Sequence, residues 1–232
     1  MIRAVVLDFD GLIIDTERPV YEGYRWLFEQ HGQDLPLATW ATTIGSRDAW
    51  EPLGALAEAV EVDQSLVDAV PDRIRSLVET ESVLPGVVEL LEEAKELGLP
   101  VGVASSSSTT WVVSNLDRLG LADRFQCVHC FREGEVQAKP APDLYLEAVA
   151  SLGVEPHEAV AFEDSQNGVT AAKAAGLWCV AVPHDLTRAL DFSAADLVVD
   201  SLADVSLRVL VDQWGRPTRP TRPTRPTRSD GA

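Results

Sequence analysis

The chain has 232 residues, 46% of them hydrophobic, enough for one full core and a smaller second unit. Its formal net charge is −18 and its pI about 4.5, a field that repels nucleic acid and anionic membrane surfaces and argues against either as a partner. A small anionic substrate stays open, provided a metal ion or local cations admit it.

The first run, Ala4–Leu7, is short and apolar and is cut off by Asp8 and Asp10. It reads as a buried strand, and as neither a signal peptide nor a membrane span. From Thr16 to Ser82 no strand pattern recurs, while helical patterns run over Val20–His31, Glu51–Val60 and Pro71–Glu81. Pro85–Gly86 marks the return to a different rhythm. A helix over Val87–Leu97 ends at Gly98, and a strand over Pro100–Ala104 follows. A helix near Thr109, a helix over Leu144–Leu152 and a strand over Ala159–Phe162 come next. A helix over Val169–Ala175 ends at Gly176, and strands are expected at Cys179–Val182 and Ala195–Val199. This alternation predicts an α/β fold with a doubly wound, Rossmann-like parallel sheet, whose ligands sit at the carboxyl ends of the strands. Residues 1–15 and 83–215 are expected to form that core, and residues 16–82 an inserted helical cap. Residues 216–232 repeat Arg-Pro-Thr, which forbids helix and sheet and predicts a disordered, extended tail. The tail holds five of the 19 basic residues, so the rest of the chain is more acidic still.

The candidate site residues share one placement, just past a strand or on a stiffened loop. Asp8 and Asp10 lie two apart at a strand end, so an extended backbone points both carboxylates the same way. Burying two charges there is costly, and a divalent cation between them offsets the cost. One carboxylate can then attack phosphorus while the other manages a proton. Read alone, the pair also fits a turn cap. Glu163 and Asp164 follow the Ala159–Phe162 strand and can converge on the same metal, although Asp164 or Ser165 also reads as a helix cap. Ser105 and Ser106 open a run of four serines where hydroxyls and amides suit a phosphoryl group. A helix cap is the competing role there. Lys139 precedes two prolines that fix the local backbone, placing one ammonium where it can neutralise developing charge.

Cys127, Cys130 and Cys179 form no disulfide framework, which fits a reducing cytoplasm. Cys127-Val-His-Cys130 has half a zinc spacing but no second pair, so it reads as core or edge strand. The four histidines show no motif spacing and read as surface or loop groups. Trp26, Trp40 and Trp50 fit cap packing or a cleft wall, and Arg18 and Arg47 are the basic candidates for specificity.

The ordered set Asp8-x-Asp10-Gly11-x-x-x-Asp15-Thr16, Ser105, Lys139-Pro-x-Pro-Asp143 and Glu163-Asp164-Ser165-x-x-Gly168 resembles the haloacid dehalogenase-like hydrolase superfamily over about residues 1–200. The helical insert resembles the subgroup that includes β-phosphoglucomutase and the phosphoglycolate phosphatases. The resemblance implies an aspartyl-phosphate on Asp8 and an acid/base role for Asp10. It implies magnesium on Asp8, on the backbone carbonyl of Asp10 and on Asp164, with Glu163 ligating or supporting. Ser105, Ser106 and Lys139 would hold the phosphoryl group, and Thr16 and Arg47 would face a small phosphorylated metabolite. Within the superfamily the second aspartate, Asp10, disfavours carbon–halogen cleavage. The absence of lysine from Thr16 to Ser82 disfavours Schiff-base chemistry. The mutase has a histidine and a lysine where this chain carries Val20 and Ile44, so hydrolysis is expected over mutation. An idle binding protein on the same fold is the rival from another class.

Overall fold

A computed structural model of the chain describes residues 1–41 and 51–214; Ile44, Arg47, Trp50 and the Arg-Pro-Thr repeat lie outside the described residues. Ala4–Leu7 forms strand β1, every residue of it buried. Its period-two alternation divides the core. Val5 and Leu7 join a cluster with Leu90, Leu91, Val112 and Leu116 on one face. Ala4 and Val6 join Leu144, Tyr145, Ala148 and Val169 on the other. A strand buried on both faces must be apolar throughout, which is how this run reads.

Among the described residues the remaining strands are β2 (Val101–Ser105), β3 (Cys127–Cys130), β4 (Ala159–Glu163), β5 (Trp178–Ala181) and β6 (Leu197–Val198). They pair in parallel, in the order β3-β2-β1-β4-β5-β6. The chain winds outward from β1 in both directions, so the crevice beside the ends of β1 and β4 is the topological switch point. The Cys-Val-His-Cys run is the edge strand β3, and both of its cysteines are free thiols. β6 keeps only the middle of the expected Ala195–Val199, because its side chains are exposed and nothing rewards a longer ladder.

Among the described residues, four helices lie between β1 and the rest: α1 (Glu17–Gln30), α2 (Leu37–Ala41), α3 (Pro52–Ala59) and α4 (Gln64–Val78). They bury their own apolar cluster of Leu27, Phe28, Leu35, Trp40, Leu56 and Val70. Helix α4 starts seven residues before the expected Pro71. The Asp63 side chain caps it by accepting from the Ser65 amide at 2.9 Å, and Pro71 is carried inside the helix. Around the sheet pack α5 (Val87–Leu97), α6 (Thr109–Arg118), α7 (Asp143–Leu152), α8 (Gln166–Ala175) and α9 (Leu207–Trp214). Arg118 on α6 ties the two layers together, donating to the carbonyls of Val78, Glu79 and Glu81 at the exit of α4.

Candidate active site

Asp8 follows β1, Ser105 ends β2, Glu163 ends β4 and Asp164 follows it, so parallel pairing alone brings these side chains to one edge of the sheet. Oxygens of Asp8, Glu163 and Asp164 lie within 4.8 Å of one another, and all three residues are buried. Lys139 enters from the loop before α7. Its ammonium lies 2.5 Å from Asp8 Oδ1 and 2.6 Å from Glu163 Oε1. The Tyr145 hydroxyl donates to Glu163 Oε1 from α7. Two glycines make room: a Cβ on Gly11, whose φ is +77°, would collide with the Asp164 carboxylate, and one on Gly168 would collide with that of Glu163.

The cluster holds more acid than the local cations balance. Burial, then Glu163, pushes the Asp8 carboxyl up to about 7 despite Lys139. Burial pushes Asp164 up to about 6, against a hydrogen bond from His184. Glu163 is raised as well, mainly by burial. Burial alone would lower the Lys139 ammonium, but Asp8 and Glu163 outweigh it and hold it protonated. Glu17, at the start of α1, adds a further carboxyl driven well upward by burial and by Asp164, Asp10 and Asp8. Three buried carboxylates in reach of one another, short of compensating charge, are a hard-oxygen donor set that suits magnesium. Because Asp8 and Asp164 must lose protons to bind a cation, Mg2+ affinity is expected to rise with pH. It should fall up to about a hundredfold per unit below about pH 6 and level off above about pH 8. Calorimetric titration across that range checks this, and a flat profile would remove both as ligands.

Asp10 takes a different position. Its Oδ1 accepts from Thr16 Oγ1 at 2.8 Å and from Trp111 Nε1 at 2.9 Å. Its Oδ2 accepts from Ser105 Oγ at 3.2 Å and Ser107 Oγ at 2.7 Å. The Asp10 carboxylate is thus engaged by the serine turn and lies outside the acidic triad. The resemblance assigns its backbone carbonyl, not this carboxylate, to the metal. Thr16 is turned to Asp10. Ser106 Oγ accepts from the Lys139 amide at 3.1 Å, fixing the lysine loop to the serine turn. Arg47 lies outside the described residues.

The competing cap roles fall to neighbouring serines. Ser108 caps α6 and Ser165 caps α8, each accepting from a first-turn amide, which leaves Ser105 and Asp164 free for the site. Four partners of the site lie outside the residues that spacing singles out. His184, read as an isolated loop histidine, places Nε2 3.0 Å from Asp164 Oδ2. Tyr145 hides in the apolar pattern of α7, and Trp111 in that of α6. Ser107 stood in the serine run and could have been named with its neighbours. His129, also read as isolated, bridges Glu147 and Ser151 on the far edge, away from the acidic triad.

A family model described as haloacid dehalogenase-like hydrolase matches residues 2–176. The chain is 42% identical over 215 residues to YhcW of Bacillus subtilis, a protein provisionally named a phosphatase, covering 91% of this chain and 97% of that one. It is 34% identical over 222 residues to hexitol phosphatase B of Escherichia coli, covering 90% and 97%. Among solved structures, CbbY of Rhodobacter sphaeroides in complex with phosphate superposes with a TM-score of 0.72 at 28% identity, over 88% of this chain and 96% of that chain.

Proposed function

The chain belongs to the haloacid dehalogenase-like hydrolase family, and from that premise we propose that it is a magnesium-dependent phosphatase of small sugar or polyol phosphates, working through an aspartyl-phosphate on Asp8. The observation that carries the reading is Asp8, buried at the end of β1, with Lys139 2.5 Å from Oδ1 and Glu163 and Asp164 alongside. Asp8 attacks phosphorus, the bond from phosphorus to the ester oxygen breaks, and Asp10 gives that oxygen a proton. Asp10 then takes a proton from a water that attacks the phosphoryl-Asp8, releasing phosphate and restoring the carboxylate. Lys139 neutralises the nucleophile and the transferring oxygens, with the hydroxyls of Ser105 and Ser106 holding the phosphoryl group. Asp8, Glu163 and Asp164 would hold magnesium, which supplies positive charge against the phosphoryl oxygens when bound.

Hydrolysis is preferred to mutation because Val20, where the mutase has its histidine, packs among the apolar residues of the cap. Its setting we infer to be the cytoplasm, in keeping with three free thiols. Phosphate release from a panel of sugar and polyol phosphates with Mg2+ tests the reading. Turnover of at least one supports it. No release from any, or conversion of β-glucose 1-phosphate to the 6-phosphate with catalytic bisphosphate, overturns it.

A further inference from the structure

The acid/base Asp10 is gripped by four side-chain donors, two on each oxygen, and these fill the roughly four lone-pair sites of a carboxylate. A proton can sit on this carboxyl only where a partner gives way. Three of the partners are hydroxyls, from Thr16, Ser105 and Ser107, and a hydroxyl can turn from donor to acceptor. The fourth, the Trp111 indole, can only donate. Oδ1 thus carries one donor that cannot reverse beside the Thr16 hydroxyl, which favours it as the accepting, carbonyl-type oxygen. Oδ2 faces only hydroxyls that can.

The indole is also fixed in place. It sits on α6, whose N-terminus is capped by Ser108 and whose Trp111 carbonyl accepts from Asn115 Nδ2 at 3.0 Å. The ring packs against the large core cluster. It also forms a wall of an apolar cavity of about 420 Å3 between α6 and the cap, with Tyr24, Leu53, Val70 and Ile74 among the other walls.

We propose that Trp111 is a positioning residue for the acid/base step: its indole N–H, the one irreversible donor on Asp10, anchors the carboxyl through Oδ1 and favours Oδ2, faced only by hydroxyls, as the oxygen that presents the transferable proton. The inference rests on the reading of Asp10 as acid/base. Removing the indole N–H lets the proton settle on either oxygen and loosens the carboxyl. The damage should then scale with how much the departing oxygen needs a proton.

The test is kcat/KM over a series of substituted phenyl phosphates, from 4-nitrophenyl, whose leaving group departs without help, to unsubstituted phenyl. Trp111→Phe should lose about tenfold on phenyl phosphate and less than about threefold on 4-nitrophenyl phosphate. Asp10→Asn should show the same tilt, larger. Val70→Ala, which loosens the cavity without touching Asp10, should lower the series in parallel if it lowers it at all. A parallel drop for Trp111→Phe, no drop, or a tilt for Val70→Ala equal to its own reduces Trp111 to packing and overturns the proposal, while a tilted Asp10→Asn keeps the acid/base reading. An untilted Asp10→Asn overturns that reading and the proposal with it. A measurement that needs no variant of Trp111 is its assigned indole N–H resonance, which should shift when Asp10 becomes Asn. An unmoved resonance contradicts the contact on which the proposal stands.

Discussion

Asp8→Asn should lower kcat by about 10^4-fold or more while leaving the fold intact, because it removes the nucleophile, and with it one carboxylate of the acidic triad, without changing the side chain's shape. The amide keeps the shape of the carboxyl and can still accept from Lys139, which also retains Glu163 at 2.6 Å. The sign of the stability change follows from charge. In the folded protein the Asp8 carboxyl is raised to about 7 from its ordinary 3.8, so its contribution is fully present below about pH 4 and lost as pH rises through about 7. A neutral amide carries no such loss. Metal-free Asp8→Asn should therefore melt no lower than wild type at pH 8, and lose the pH dependence that Asp8 adds. Activity at more than a hundredth of wild type would place the nucleophile elsewhere.

Lys139→Met should be the most damaging substitution to the metal-free fold. Lys139 is buried against two carboxylates, and removing one partner of a buried ion pair costs about 3–5 kcal/mol. For a chain of this size that is a fall in Tm of about 10 °C. The loss should shrink at acid pH. Without the ammonium, the folded Asp8 and Glu163 carboxyls rise further above their unfolded values, so the variant is stabilised by protonation at low pH and loses that stabilisation as pH rises. Saturating Mg2+ should return part of the loss, since a cation again faces the carboxylates. Thermal melts near pH 5 and pH 8, with and without Mg2+, measure this. An equal fall at both pH values would mean that the lysine is held by packing of its stem and not by charge.

Much of the core was readable because local patterns decide it. Ala4–Leu7 and Val87–Leu97 have the boundaries that apolar runs, Asp8 and Gly98 mark out. Pro71, expected as the first residue of a helix, lies inside α4, because the Asp63 side chain caps that helix seven residues earlier. The site divides the same way. Asp8, Ser105, Glu163 and Asp164 are each pinned to a strand end, and parallel pairing carries strand ends together. Trp111, Tyr145 and His184 arrive by the packing of α6, α7 and the loop after β5. Their partners lie 101, 18 and 20 residues away in sequence, where no spacing rule reaches.

The mechanism requires that Asp8 carry the phosphoryl group. Rapid quench of the wild-type enzyme with a substrate it turns over, followed by mass spectrometry of its peptides, reads this directly. One phosphoryl group is expected on Asp8, forming and decaying within the turnover time and absent from Asp8→Asn. Phosphate release with Asp8 unlabelled throughout, or with the label on another residue, would contradict it.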